Sequence, residues 1–420
     1  MNNKSDKQKV VIVGAGFAGI RCALDLAGKK LYDVEITLIN DNFHFEYHPS
    51  LYRVVTGRSP LEVCIAIPDI IKGTDIKFIE DRITSINLRS KTLCGESACD
   101  YTYDYLVLAL GSETTYFDVP GLKEHSFGFK SIHEALVLKR HLHETFSTCR
   151  SLNETNQECA THIVIVGAGA SGVELAGELI TYTKDLALHY KLPKDKIKID
   201  LIERSQRVLP FLPESVSKLA QEKLESMGVT VLLNKEVMKE DIENIYLKDM
   251  KMKTKTVIWT AGVRANRLYQ ETNDIHVNSK GKVEVDPHLR PVGVCNVFVL
   301  GDGANTKYSG MATTAIHDGK FTAKNIENSI LNRELISYEE KTPPYVIPVG
   351  FGWAIANLGR NNRSDPDFVG FVGWCLRRVA DFRFFLTILP FSKALLAFFE
   401  GTKLSQTCPS CEPEHVRTIF

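Results

Sequence analysis

The stretch that decides the fold is KVVIVGAGFAGIRCALDLAGKK, Lys9 to Lys30. Lys9 to Val13 is a short β-branched run, Gly14-Ala-Gly16-Phe-Ala-Gly19 is a glycine turn, and an amphipathic helical pattern continues through Asp25 to Lys29. A second β run, Val34 to Ile39, follows. The design returns in HIVIVGAGASGVELAGEL, His162 to Leu179, with its second β run at Ile197 to Ile202. Strand, glycine turn, helix, strand is a βαβ unit. Two copies predict an α/β protein with two Rossmann-like, doubly wound domains.

The glycines of each turn have separate tasks. The first makes the tight turn, the second lets backbone N–H groups approach a pyrophosphate, and the third lets the helix pack closely on its strand. The positive end of that helix then faces the phosphates. One such turn is a weak signal, but two in matching units point to two dinucleotides. The residue ending the second strand reads the ribose. Glu203 stands there in the second unit; its carboxylate accepts from ribose hydroxyls and repels a 2′-phosphate, which favours NADH over NADPH. Arg204 and Arg207 pull the other way. In the first unit the place belongs to Asn40, followed by Asp41. An amide there hydrogen-bonds to ribose or simply ends the strand.

Further along, Tyr103 to Ser112 (YDYLVLALGS) reads as a buried strand with a small-residue turn, and Thr256 to Ala261 holds the matching place in the second unit. Asn296 to Gly301 is a strand ending in Gly301-Asp302-Gly303, with no partner left in the second domain. It is therefore expected to return to the first sheet, making the second domain an insertion. The expected layout is a first dinucleotide-binding domain from residues 1–118 and 280–342, a second, NADH-binding domain over 119–279, and a C-terminal region over 343–420.

Lys plus Arg equal Asp plus Glu at 51 each, so no global basic field invites nucleic acid. The ten cysteines follow no framework spacing, in a chain of 420 residues that has no need of disulfide staples, and read as reduced thiols in a cytosolic protein. The glycine pattern and Arg21 argue against reading the N-terminus as a signal peptide. No metal site is expected: Cys408-Pro-Ser-Cys411 is a lone pair with only His415 close by.

Taken together, these residues resemble the type II NADH dehydrogenases, single-chain NADH:quinone oxidoreductases with the glutathione-reductase-type fold. The resemblance runs from Lys9 to Gly319 through GAGFAG (Gly14 to Gly19), HFEYHPSLYRVVTG (His44 to Gly57), YDYLVLALGS, VPG (Val119 to Gly121), GAGASGVELAGEL (Gly167 to Leu179), IWTAGVRAN (Ile258 to Asn266) and LGDGA (Leu300 to Ala304). It implies FAD as cofactor and NADH as substrate. FAD would be held by Gly14, Gly16, Phe17, Ala18, Gly19, Asn40, Asp41, Ala109, Gly111, Asp302, Ala312 and Thr313. NADH would be held by Gly167, Gly169, Gly172, Glu203, Ala261 and Gly262. Asp302 would take the ribityl chain, the helix starting near Met311 would face the flavin, and Glu174 would lie near the nicotinamide.

Two departures stand out. The family's quinone motif AQxAxQ is replaced by Ala312-Thr-Thr-Ala-Ile-His317, and Asn40 stands where an acid is usual. With both glutamines gone, His317 joins Glu174 as a candidate catalytic residue, since an imidazole titrates near neutrality. Disulfide reductases of this fold need a close cysteine pair that His44 to Gly57 lacks. Sulfide:quinone oxidoreductases are similar but have no use for an NADH turn. A soluble flavin reductase with a protein acceptor, and a non-catalytic NADH sensor, remain as alternatives.

From Phe368 to Phe399 large apolar residues crowd together, with Arg377, Arg378, Arg383 and Lys393 interspersed and Pro390 dividing the run into two helical pieces. Neither piece reaches the ~20 apolar residues that span a bilayer. Apolar faces edged by cations suit a helix lying in a membrane interface, arginine meeting lipid phosphate, or else packing on the protein's own core or on a homodimer mate. The expectation is a protein peripheral on the cytoplasmic side of the cell membrane, with quinone as its partner.

Overall fold

The computed structural model describes residues 7–359 and 365–400, so Cys408 and Cys411 lie outside the described residues. The chain divides into two compact units. One comprises Met1–Glu46, Ile65–Glu113 and Val263–Pro343; the other comprises Tyr47–Cys64, Thr114–Gly262 and Pro344–Phe420.

In the first unit a five-stranded parallel sheet runs in the order Val297–Val299, Tyr105–Leu108, Gln8–Val13, Val34–Asn40, Ile76–Glu80. Val10 to Val13 are almost wholly buried, as a strand covered on both faces requires. The strand at Val297–Val299 does return to this sheet, beside Tyr105–Leu108. The Phe17–Ala27 helix packs along Ala312–Ile330, and Gly319 permits it: a Cβ there would press on the Ala18 carbonyl and the Cys22 amide.

The second unit repeats the plan. Its sheet runs Phe127–Gly128, Thr256–Trp259, His162–Val166, Lys198–Ile202, Val229–Leu232, again all parallel. Each unit also carries a three-stranded antiparallel meander, Ile83–Asn87 to Asp100–Thr102 in the first and Val237–Asp241 to Lys251–Lys253 in the second.

The layout differs from the sequence expectation in several places, and Tyr47–Cys64, expected in the first domain, belongs to the second unit. The seam lies at 262/263 rather than 279/280, because bridges Val277 to Val283 and Val283 to Ala304 tie that hairpin to the Asp302 turn. The C-terminal region does not stand apart. Its strands Tyr345–Pro348, Ala354–Asn357 and Phe368–Gly370 form an antiparallel sheet, and the first packs on the Ala170–His189 helix, where Gly177 lets the Val349-Gly350 backbone approach. The Phe371–Ile388 helix covers that sheet, and Phe391–Glu400 follows after Pro390.

Candidate functional site

The two glycine turns are built alike. Gly14 and Gly167 adopt φ of 100° and 103°, where a side chain is strained. A Cβ on either would also strike the neighbouring strand's end, the Ala109 carbonyl for Gly14 and the Ala261 backbone for Gly167. Gly19 and Gly172 sit on the carbonyls of Gly14 and Gly167. At Gly16 and Gly169, by contrast, the space a Cβ would take is open. Neither the Phe17–Ala27 nor the Ala170–His189 helix has a side-chain N-cap, so both begin with backbone donors unclaimed by a cap.

The strand-end residues complete the match. Asn40 Oδ1 accepts the Ala15 N–H at 2.8 Å, and Glu203 Oε2 accepts the Ala168 N–H at 2.8 Å. Glu203 Oε1 also accepts from Ser205 N–H at 2.8 Å, fixing its carboxylate beside the turn. Arg207 donates to the carbonyls of Pro210 (2.7 Å) and Leu212 (2.6 Å) and to Ser217 Oγ (2.6 Å), which withdraws it from a 2′-phosphate; Arg204 is exposed. At Gly262 a Cβ would strike the Phe117 ring and the Thr115 carbonyl.

In the first unit Asp302 sits on the Gly301–Gly303 turn and accepts from the Ser112 hydroxyl. The turn is anchored from below. Buried Asp318 accepts the Gly301 N–H at 3.0 Å and the Tyr338 hydroxyl at 2.6 Å. Gly111 has open space beside its Cα, Asp41 is exposed, and Phe17 packs edge-on against Phe45. The Ala312–Ile330 helix likewise lacks a side-chain N-cap, leaving Ala312 and Thr313 at an open N-terminus. His317, further along it, bonds through Nε2 to the Glu339 carbonyl at 3.2 Å and lies against the Tyr338 ring.

Glu174 belongs to the second unit, on the Ala170–His189 helix and 8 % exposed. Burial pushes its carboxyl up to about 8; Arg377 draws it down, while Asp381 and Glu178 push it up. Its surroundings were not foreseen. Arg377 is buried, pairs with Asp381 at 3.1 Å and donates to the carbonyl of Pro49. Asp381 accepts the Tyr47 hydroxyl at 2.7 Å, and Arg378 reaches Glu62 at 3.0 Å, which also binds Arg53. Burial opposes charge on Arg377, but Asp381 and the nearby phenols and carboxyl outweigh it and raise its pKa.

This corrects the expectation that Arg377 and Arg378 meet lipid phosphate: they point inward and fasten the tail helix to Tyr47–Cys64. Of those four cations only Arg383 is exposed; Lys393, like Arg378, is half-buried. The legible signal was Arg377 with Asp381, an i,i+4 ion pair in an apolar helix.

The profile of the pyridine nucleotide-disulphide oxidoreductases matches residues 8–319, the span holding both turns and Asp302. The chain belongs to this family. Like other pyridine nucleotide-disulphide oxidoreductases it takes FAD as cofactor, and NADH is its electron donor. The residues fit those groups: open space at Gly16 and Gly169, three helix starts without side-chain caps, and an acid on the Asp302 turn. Among curated relatives, the type II NADH:quinone oxidoreductase of Staphylococcus haemolyticus is 28 % identical over 348 residues, 80 % of this chain and 85 % of that one. The Staphylococcus aureus (NCTC 8325) enzyme of the same name is 29 % identical over 345 residues, 78 % and 84 % of the two chains.

Among solved structures, NDH2 from Plasmodium falciparum in complex with NADH matches with TM-score 0.82 at 18 % identity, covering 94 % of this chain and 97 % of that one. The sulfide:quinone oxidoreductase of Aquifex aeolicus matches with 0.77 at 18 %, covering 96 % and 98 %. At such identities the likeness is one of fold.

Proposed function

We propose that the chain is an NADH:quinone oxidoreductase, peripheral on the cytoplasmic face of a membrane. The observation that carries this reading is Glu174, a buried carboxyl beside Arg377, Asp381 and Glu178 with a pKa raised by burial to about 8, and so mainly protonated at neutral pH. A two-electron acceptor such as quinone takes up protons as it is reduced, and a neutral acid in a water-poor site is suited to donate one.

FAD, when bound, supplies the two-electron carrier between hydride donor and acceptor. The chain's own residues bind and orient. Gly14 to Gly19, Asn40, Asp41, Ala109, Gly111, Asp302, Ala312 and Thr313 hold FAD; Gly167, Gly169, Gly172, Glu203, Ala261 and Gly262 hold NADH. Glu203 selects NADH by keeping a fixed carboxylate where a 2′-phosphate would sit. With its Nε2 engaged by Glu339, His317 is a less direct proton donor than Glu174.

The tail supports the membrane part. Phe371, Val372, Val379 and Leu386 are exposed on one helix, and Phe391, Leu395, Leu396 and Phe399 on the next. Val372, Val379 and Leu386 recur every seven residues, a single outward line. An apolar surface of this kind suits immersion in a lipid interface. Among the described residues no helix is long and apolar enough to cross a membrane.

The test is anaerobic stopped-flow bleaching of the bound flavin by NADH and by NADPH, then mixing with a short-chain quinone. Fast bleaching by NADH and fast reoxidation by quinone are expected. Bleaching with sluggish reoxidation would reassign the acceptor, and no bleaching would remove the dehydrogenase reading.

A further inference from the structure

Three polar side chains of the second unit converge without partners. Among the described residues, neither the Tyr52 phenol nor the carboxyls of Glu174 and Glu178 make a hydrogen bond or ion pair within the chain. Tyr52 is 5 % exposed, Glu174 is similarly buried and Glu178 is half-buried. Buried polar groups are ordinarily satisfied, so a group left open marks where water or a ligand completes the bonding. Glu174 and Glu178 stand one turn apart on the Ala170–His189 helix, hence on one face. The Leu51–Val55 helix packs against that helix and sets Tyr52 within electrostatic reach of both carboxyls.

We propose that Tyr52 and Glu178 are a proton reserve for Glu174: the Tyr52 hydroxyl passes protons between the two carboxyls, and Glu178 is the end refilled from solvent. This rests on reading Glu174 as the proton donor to quinone. The step balances. Quinone receives two electrons and one proton originating in the hydride of NADH, and its second proton from Glu174, whose O–H bond breaks as the quinol O–H forms. Through bridging water, the Glu174 carboxylate takes the Tyr52 proton and Tyr52 takes that of Glu178, and the Glu178 carboxylate is reprotonated from solvent. The sum is NADH, quinone and one proton giving NAD⁺ and quinol. Glu178 and Tyr52 act through Glu174 and are positioning residues.

The charges around the group favour that direction of flow. Burial raises the Glu178 carboxyl, while Arg53 and Arg58 draw it down. Glu174 faces Arg377, Asp381 and Glu178, and Tyr52 faces Arg377, Glu178, Arg53 and Glu174. Arg53, which also pairs with Glu62, and half-buried Arg58 are the cations on the Glu178 side. The deeper acid thus holds its proton more firmly than the one at the entrance, and two carboxyls so close titrate as a coupled pair.

The test uses the flavin-loaded full chain and three variants, Glu174→Gln, Glu178→Gln and Tyr52→Phe. Flavin content and bleaching by NADH serve as checks on folding. Infrared difference spectra over a pH titration report the protonated carboxyls, and flavin reoxidation by a short-chain quinone is followed against pH in H₂O and D₂O. Wild type should show two coupled carboxyl steps. Glu178→Gln should leave one, and removing the neighbouring negative charge should move the alkaline fall of the quinone step down by about one pH unit, about tenfold in rate there. Tyr52→Phe should slow that step and alter its solvent isotope effect, with bleaching unchanged.

If Glu174→Gln slows the quinone step while Glu178→Gln keeps the wild-type titration and profile, the reserve is overturned and the donor reading stands. If Glu174→Gln leaves the quinone step unchanged, the donor reading fails and the reserve with it. Should Glu178→Gln lose flavin, Tyr52→Phe decides: a wild-type rate and isotope effect overturns the proposal.

Discussion

Replacing Glu174 by Gln should make the protein more stable at alkaline pH, by an amount that grows with pH. The carboxyl's ordinary value is 4.5 and burial lifts it to about 8 in the fold. Between those values the folded chain keeps a proton that the unfolded chain has released, so stability falls as pH rises through that window. Each pH unit is worth about 1.4 kcal/mol, so by pH 8 ionisation withholds on the order of 5 kcal/mol from the native state. The opposition of Arg377 is already contained in that value. Glutamine has nearly the same shape and no charge to desolvate, so it escapes this loss. Urea unfolding of the flavin-loaded wild type and variant, from pH 5 to pH 8.5, is the assay. The curves should lie close at pH 5 and separate steadily, the variant ahead by a few kcal/mol at pH 8. Parallel curves across the range would refute the argument, because Glu174 would then be ionising in the fold as it does in water.

Other substitutions probe other parts. Glu203→Ala loses the charged acceptor fixed by Ala168 and Ser205; flavin bleaching should need about 10- to 100-fold more NADH, with NADPH much less affected, as expected for one charge-assisted hydrogen bond of about 1.5–3 kcal/mol. Gly19→Ala drives a methyl into the Gly14 carbonyl, so the purified chain should show a clearly lower flavin-to-protein absorbance ratio and about 1–3 kcal/mol less stability. Asp381→Ala strands buried Arg377 and should cost about 3–5 kcal/mol in denaturant unfolding. Val379→Glu with Leu396→Glu, both more than half exposed, should abolish flotation with anionic-lipid vesicles at unchanged flavin content; undiminished flotation would count against the outward faces as the lipid contact.

The parts of this protein legible in its sequence are those written in consecutive residues. A strand, a glycine that must turn with positive φ, a glycine that must lie on a carbonyl and an amphipathic helix all fall within about twenty residues, because a phosphate-binding turn is a local object. Gly14 to Gly19, Gly167 to Gly172 and the strand-end places of Asn40 and Glu203 could therefore be read directly, and so could the unpaired strand before Asp302 that sends the chain back to its first sheet.

The surroundings of Glu174 are another matter. The Tyr47 hydroxyl meets Asp381 across 334 positions of sequence, and no local pattern announces such a pair. In the Phe371–Ile388 helix aromatic and aliphatic residues occur on every side, so hydropathy alone does not say which face turns inward. Docking on Tyr47–Cys64 decided it: Arg377 and Arg378 went to the interior because Asp381, Glu62 and the Pro49 carbonyl wait there, and Val372, Val379 and Leu386 were left outside. Tyr52 became a neighbour of Glu174 and Glu178 for the same reason, through packing of a short helix against a long one. Charge and burial trade against each other only once distant segments meet, so a carboxyl that stays protonated near neutrality is a property of the assembled unit.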